Sequence, residues 1–483
     1  MVIDALKYQI LQQFGFVPTE EQGQALDAFA RFLTDRDPDA VMILRGSAGT
    51  GKTSLSGAIV RTLKAIRQKV MLLAPTGRAA KVFSLNSGCP AYTIHRRIYR
   101  EKSFAGVDGQ FNLNDNLFTD TLFMVDEASM ISNLVLGGGN FGSGCLLDDL
   151  VRFVYQGHND RLMLIGDKAQ LPPVGEEESP ALNRMMLEGY GLKVYECDLN
   201  EVLRQSQESG ILYNATVIRQ MITHDDITQL PLIRFKGFAD IVMMPGNELV
   251  ESLANSYYRV GQDETMVITR SNKRANIYNN GIRNMVLDRE DELSCGDMLM
   301  IVKNNYFWTE KERNEVMEAL NAIPPFLANG DRAKVLRVSR HMELYGFRFA
   351  TLLLQFPDYD NYEMSVTALL DTLQSEAPAL THEQQEQLFH GVEEDYQDVA
   401  LKADRMKAIR GDQYFNALQV KYAYAITCHK AQGGQWEHVY VDQGYMTDDM
   451  LTPDYIHWLY TAFTRAKDKL FLVNWPKTQT EQA

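Results

Sequence analysis

Short apolar runs, each breaking off into a polar loop and then into a stretch of helical periodicity, recur along the first two hundred residues. AVMILR (40–45), KVMLLA (69–74), TLFMVD (121–126) and RLMLIGD (161–167) are such runs. They fit the strands of a parallel sheet covered on both faces. Helices are predicted from Lys52 onward and over GRAAKVFSL, which starts at Gly77. Strand alternating with helix is the pattern of an α/β domain. It returns in TMVITR (265–270) before the helical NKRANIYNNGIR, and in EHVYVD (437–442) and KLFLVN (469–474) around the helical DYIHWLYTAFTRA. Two α/β lobes divided near residue 200 are therefore expected. The opening MVIDALKYQILQQFG reads as a short amphipathic helix.

Two stretches interrupt the alternation. Residues 97–120 are polar, with a VDG turn, and suit a small hairpin. Residues 331 to about 415 begin with the strands DRAKVLRV and FRFATLLLQF and continue into an acidic helical segment. This predicts a small β-rich subdomain inserted in the second lobe. GGGNFGSG (137–144) is predicted to be a mobile loop.

Composition narrows the classes. At 483 residues the chain is long enough for several domains. Its five cysteines form no C-x-x-C pair, which argues against a zinc ribbon, an iron–sulfur cluster or a disulfide framework. No run approaches the ~18 apolar residues of a membrane span, and the start lacks the features of a secretory signal. The expected compartment is the cytoplasm. A net charge of -15 means that any nucleic acid must be held in a local groove. Part of the acidity is concentrated at 371–398, with eight Asp or Glu and no Lys or Arg, as on a solvated helical insertion.

Gly46, Gly51, Lys52 and Thr53 complete G-x-x-x-x-G-K-[ST] after a strand and at the start of a helix. Such a loop wraps backbone N–H groups around phosphates; Lys52 supplies a charge to them and Thr53 a hydroxyl ligand for Mg²⁺. ATP and Mg²⁺ are thus the expected cofactors. In LFMVDEASM, Asp126 can hold Mg²⁺ through water and Glu127 can act as general base on the attacking water. Gln170, in LIGDKAQLPPVG, can sense the γ-phosphate through a loop stiffened by two prolines. Arg204 in LNEVLRQ and Arg465 in LYTAFTRAKDKL are candidates to neutralise transition-state charge from a second lobe.

The ordered motifs resemble superfamily 1B helicases, in particular the RecD-like branch that includes the phage Dda enzyme, over nearly the whole chain. PTEEQGQAL is similar to the adenine-recognising glutamine motif, GSAGTGKT to motif I, LAPTGRAAKVF to Ia and YTIHRRIY to Ib. VDEAS resembles motif II, GDKAQLPPVG III, LNEVLRQ IV, YAITCHKAQGGQW V and LYTAFTRAK VI. The resemblance implies two RecA-like P-loop lobes: 1A at 1–96 and 121–200, 2A at 201–330 and 415–483. It implies a pin-bearing 1B hairpin at 97–120 and an SH3-like 2B insertion at 331–414. Gln22 is implied as adenine reader, with Ser47, Ala48, Gly49, Thr50, Ser54 and Gly433 completing the nucleotide contacts. Thr76, Arg78, Thr93, His95, Thr427, His429 and Lys430 are implied as contacts to the nucleic-acid backbone.

The work implied is ATP-driven 5′→3′ movement along single-stranded DNA and opening of duplex junctions, in DNA repair or recombination. Alternatives are an RNA helicase or remodeller, and a nucleic-acid-stimulated ATPase that binds without unwinding. Phe104 or Phe111 is the candidate wedge, with a packed core aromatic as the competing reading. Gln435 stands where many relatives carry Glu. The insertion is longer and more acidic than a minimal SH3-like module, which makes it a candidate surface for a protein partner. A monomer able to act alone is expected.

Overall fold

A computed structural model describes residues 2–104, 109–135, 142–202, 208–224, 227–315, 323–324 and 326–481. Arg204 and most of the 137–144 loop lie outside these residues.

The first lobe is built on β1 (Ala40–Gly46), β2 (Lys69–Ala74), β3 (Ala91–Thr93), β6 (Thr121–Val125), β7 (Arg161–Gly166) and β8 (Lys193–Leu199), with β4 (Tyr99–Phe104) and β5 (Gly109–Leu113) forming a separate hairpin. The six-stranded order is β3-β2-β6-β7-β1-β8, and every pairing is parallel. Strands β1, β6 and β7 are buried throughout, as their unbroken apolar runs require. Strand β8 lies at the sheet edge and is half-exposed along most of its length. Arg45 of β1 ties it in by donating to Asp198 at 2.6 Å and Glu196 at 2.7 Å. The opening helix Val2–Phe14 buries Leu6, Ile10 and Phe14, one residue per turn, against this lobe.

The second sheet contains β9 (Ile241–Met244), β10 (Thr265–Thr269), β16 (Ala425–Thr427), β17 (Trp436–Asp442) and β18 (Ala466–Val473) in the parallel order β16-β10-β17-β18-β9. Between its strands sits a closed barrel of β11 (Met298–Ile301), β12 (Arg332–Leu344), β13 (Phe347–Phe356), β14 (Tyr362–Leu369) and β15 (Leu418–Tyr422). The barrel takes β11 and β15 from either side of residues 331–414, so it reaches beyond that span. It closes where β14 and β15 run parallel through two residue pairs, Ala368 with Leu418 and Leu369 with Gln419. The acidic stretch between them includes helix His382–Asp395, which packs Leu388, Phe389 and Val392 against Phe347 and Phe349.

Barrel and second lobe share one apolar core, running from Val267 and Ile268 of β10 to Leu299, Val335 and Leu352 of the barrel. A charged knot fixes the junction. Fully buried Asp297 accepts from Arg283 Nε and Nη2 at 3.0 Å each, from Arg289 at 2.8 Å and from the Tyr424 hydroxyl at 2.9 Å. Removing one partner strands a buried guanidinium, so Asp297→Ala should destabilise the protein by about 3–5 kcal/mol. A urea titration reads this as a lowered midpoint.

The hairpin β4–β5 leans on the second half of the chain. Phe111 is half-buried and its ring lies tilted 5.5 Å from that of Tyr306, which in turn stacks at 4.8 Å on Phe326. The Phe104 side chain lies outside the described residues.

Candidate active site between the lobes

The turn from β1 into helix Lys52–Ala65 is the first wall of the site. Gly49 and Gly51 adopt φ values of +78° and +77°, which L side chains rarely tolerate. A Cβ on Gly49 would also press on the Leu212 side chain at 3.3 Å, because helix Gly210–Thr223 of the second lobe closes over the loop. Lys52 opens the helix, with Gly51 as its N-cap.

A cavity of about 250 Å³ follows, lined by both lobes. The first lobe supplies Ser47, Ala48, Gly49, Gly51, Lys52, Thr53, Asp126, Glu127, Asp167 and Gln170; the second supplies Leu212, Gln435, Thr464, Arg465 and Lys467. Asp126, Glu127 and Asp167 follow the carboxyl ends of adjacent strands β6 and β7, where open α/β sheets hold their ligands.

This wall is strongly acidic. Burial, reinforced by the Glu127 charge, pushes the Asp126 carboxyl up to about 6, with Lys52 pulling it back. Burial likewise raises Asp167, opposed by Lys52 and by the hydroxyl of Tyr460. Glu127 sits at φ 52°, in the left-handed region, and its N–H donates to Asp126 at 2.9 Å. Glu127 Oε2 and Gln170 Oε1 are buried with no partner among the described residues. Orphaned acceptors at a strained backbone are features of a site that awaits a ligand.

Arg465 enters from the opposite wall. It is 3% exposed, and its guanidinium donates to Thr461 O at 3.0 Å, Gly434 O at 3.1 Å and Thr464 Oγ1 at 3.1 Å. Three bonds to its own lobe aim it before any ligand arrives.

Other expected contacts are placed differently. Gln22 is 1% exposed and does not line the cavity. Its Nε2 donates to Thr50 O at 2.9 Å, and its Oε1 accepts from Thr19 N–H at 3.0 Å in a capping box. It braces the phosphate loop from behind. Gly46, Thr50 and Ser54 are outside the lining as well. Gly433 is held against lobe 1, where a Cβ would meet Ala79 at 3.1 Å and Thr76 Oγ1 at 3.2 Å.

Thr76, Thr93 and Thr427 each occupy the N-cap of the helix that follows a sheet strand, along the carboxyl edges of both sheets. Thr76 accepts from Ala79 N–H at 3.2 Å and Thr93 from Arg96 N–H at 3.4 Å. Arg78 bridges the lobes. Its guanidinium lies 4.3 Å from the Trp436 ring centroid and donates to Gln435 O at 2.8 Å. Burial drives His95 down to about 4 and Lys430 down to about 8, and it lowers His429. At neutral pH His95 is therefore an uncharged hydrogen-bonding group.

The sequence reading missed Asp167, Leu212, Tyr460, Thr464 and Lys467. Asp167 had a signal, since it ends an apolar strand as Asp126 does. The others are set by how the lobes meet.

Residues 19–227 match the AAA domain family and residues 422–473 the UvrD-like helicase C-terminal domain. An ATP-dependent RecD2 DNA helicase of Deinococcus radiodurans is 30% identical over 157 residues, 32% of this chain and 18% of that protein. An uncharacterized protein of Methanocaldococcus jannaschii is 34% identical over 171 residues, 33% of this chain and 14% of its own. The chain thus spans less than a fifth of the length of these two curated relatives. A Bacteroides Pif1 helicase solved with ADP-AlF3 and single-stranded DNA aligns over 97% of this chain and 95% of its own, at 14% identity and a TM-score of 0.46.

Proposed function

We propose that the chain is a superfamily 1B helicase of the RecD-like branch, a reading supported by the ordered motifs, the two family matches and the RecD2 relative, and that it hydrolyses ATP between its lobes to move 5′→3′ along single-stranded DNA and open duplex junctions. One observation carries the reading: Arg465 of the second lobe lines the same cavity as Lys52, Asp126 and Glu127 of the first. A site completed by two bodies ties turnover to their relative position, which is what a stepping motor needs.

The acidic wall suits a divalent cation. Three carboxylates confront Lys52, and Glu127 Oε2 has no partner among the described residues. Thr53 and Asp126 would hold Mg²⁺. Among the described residues no group of three or more His, Cys, Asp or Glu forms a protein-only cage. A cation bound there would offset charge on the phosphates. Lys52 and the loop amides bind and orient the triphosphate, Glu127 takes a proton from the attacking water, and Gln170 orients that water. Arg465 meets the charge that develops on the transferred phosphoryl group. The N-cap threonines Thr76, Thr93 and Thr427 grip phosphates along the sheet edges without reading bases. A net charge of -15 discourages binding elsewhere on the surface.

The test is an unwinding assay on duplexes tailed at either end, with ATPase measured alongside. Single-stranded DNA should stimulate hydrolysis well above basal, and only the 5′-tailed duplex should open. Opening of the 3′-tailed duplex alone would reverse the direction. Stimulation by RNA and by no DNA would move the activity to RNA, and stimulation without strand separation would leave a switch in place of a motor.

A further inference from the structure

The helix Pro453–Phe463 does more than carry the chain toward Arg465. Its Tyr460 is 1% exposed, and the hydroxyl joins three separate segments. It accepts the N–H of Ala48, in the phosphate loop, at 3.0 Å. It donates to Asp167 Oδ2, after β7, at 2.7 Å, while Asp167 Oδ1 accepts Ala169 N–H at 2.9 Å. The same helix holds the next residues of the β7 loop: Thr461 Oγ1 accepts Leu171 N–H at 2.8 Å, and His457 Nδ1 lies 2.9 Å from Ala169 O. Gln432 of the second lobe donates to Leu171 O at 2.7 Å. Arg465 is fixed to this unit through Thr461 O.

We propose that Tyr460 is a positioning residue for hydrolysis, a second-lobe hydroxyl that keeps the phosphate loop and the Asp167–Gln170 loop in register with Arg465. The inference rests on the ATPase reading and adds to it the route by which one lobe sets the geometry of the other. Ala48 and Asp167 both line the cavity, so any shift of the helix displaces two of its walls together. The hydroxyl uses both its donor and its acceptor capacity here, and a phenyl ring of the same shape can do neither. Misplacement of a site by about 1 Å costs on the order of 10²-fold in rate.

The experiment is steady-state ATP hydrolysis by the full chain, with saturating single-stranded DNA, for Tyr460→Phe, Asp167→Asn and the double variant. Tyr460→Phe should lower kcat about 10- to 100-fold while KM for ATP stays within about threefold. The double variant should be no slower than the worse single one, because the two groups act as a pair. A Tyr460→Phe enzyme with unaltered kcat overturns the inference. So does a loss that appears as raised KM alone, or as a fall in melting temperature with additive kinetic effects, since either marks a structural role. A wild-type chain that hydrolyses no ATP overturns the ATPase reading and this inference together, whereas an active wild type beside an indifferent Tyr460→Phe overturns only the latter.

Discussion

Lys52→Ala is expected to abolish ATP hydrolysis, with kcat/KM lowered at least about 10³-fold, some 4 kcal/mol of transition-state stabilisation. Lys52 is the cation that tempers the acidic wall. Its charge opposes the rise of both Asp126 and Asp167. Without it the triphosphate meets three carboxylates and loses the group that binds its β- and γ-oxygens. Asp126, raised by burial and by Glu127, would also lose the positive charge that pulls it back. Titration of a fluorescent ATP analogue and a phosphate-release assay measure the two losses separately. The fold should survive, because Lys52 is a partly exposed residue in the first turn of its helix. A variant that keeps more than a tenth of wild-type turnover would remove the cavity as the site of hydrolysis.

Arg465→Ala should behave differently. Nucleotide affinity is expected to change by no more than a few-fold, while kcat falls by about 10³- to 10⁵-fold, the range seen when an arginine supplied to the transferred phosphoryl group is lost. The separation follows from geometry: binding is the task of the phosphate loop, and the guanidinium is held by the opposite lobe at Thr461 O, Gly434 O and Thr464 Oγ1. Arg465→Lys should not rescue turnover, since an ammonium cannot keep those three bonds and still present a planar fork. Single-turnover hydrolysis beside equilibrium binding checks this. Equal losses in affinity and rate would place Arg465 in ground-state binding and remove the inter-lobe trigger.

Both predictions rest on residues that were legible without coordinates, because their chemistry is local. The glycine spacing that bends a phosphate loop, and an acidic pair at the end of an apolar strand, are short-range requirements. The strands β1, β6 and β7, buried on both faces, were equally plain, as was β2, buried from Met71 on. Strand β8 escaped notice because an edge strand alternates, as in KVYECDL, and β3 because three residues carry no pattern. The barrel was only half visible: the ladder between β11 and β15 joins Leu299 to Tyr422 and Ile301 to Val420, well over a hundred positions away. No local signal joins them.

The roles of Gln22 and Tyr460 show where sequence reasoning stops. Gln22 was legible as a residue of the nucleotide motif, yet its carboxamide is taken up by Thr50 O and Thr19 N–H. Tyr460 looked like one apolar position on a helix, and only the meeting of the lobes turns its hydroxyl toward Ala48 and Asp167. Arg78 similarly reads as a cation free for phosphates until Trp436, 4.3 Å from it, arrives from the other lobe.

The closure of the barrel carries a consequence for how the acidic excursion can evolve or be trimmed. Because β14 and β15 run side by side in the same direction, no tight turn can connect them; a crossover of roughly a dozen residues or more is obligatory. Deletion can shorten the excursion, provided what is left spans from the end of one strand to the start of the next and still covers Phe347 and Phe349, but it cannot erase it without springing the cylinder open. The detour is thus compulsory in topology, and its content is constrained only where it covers the barrel wall.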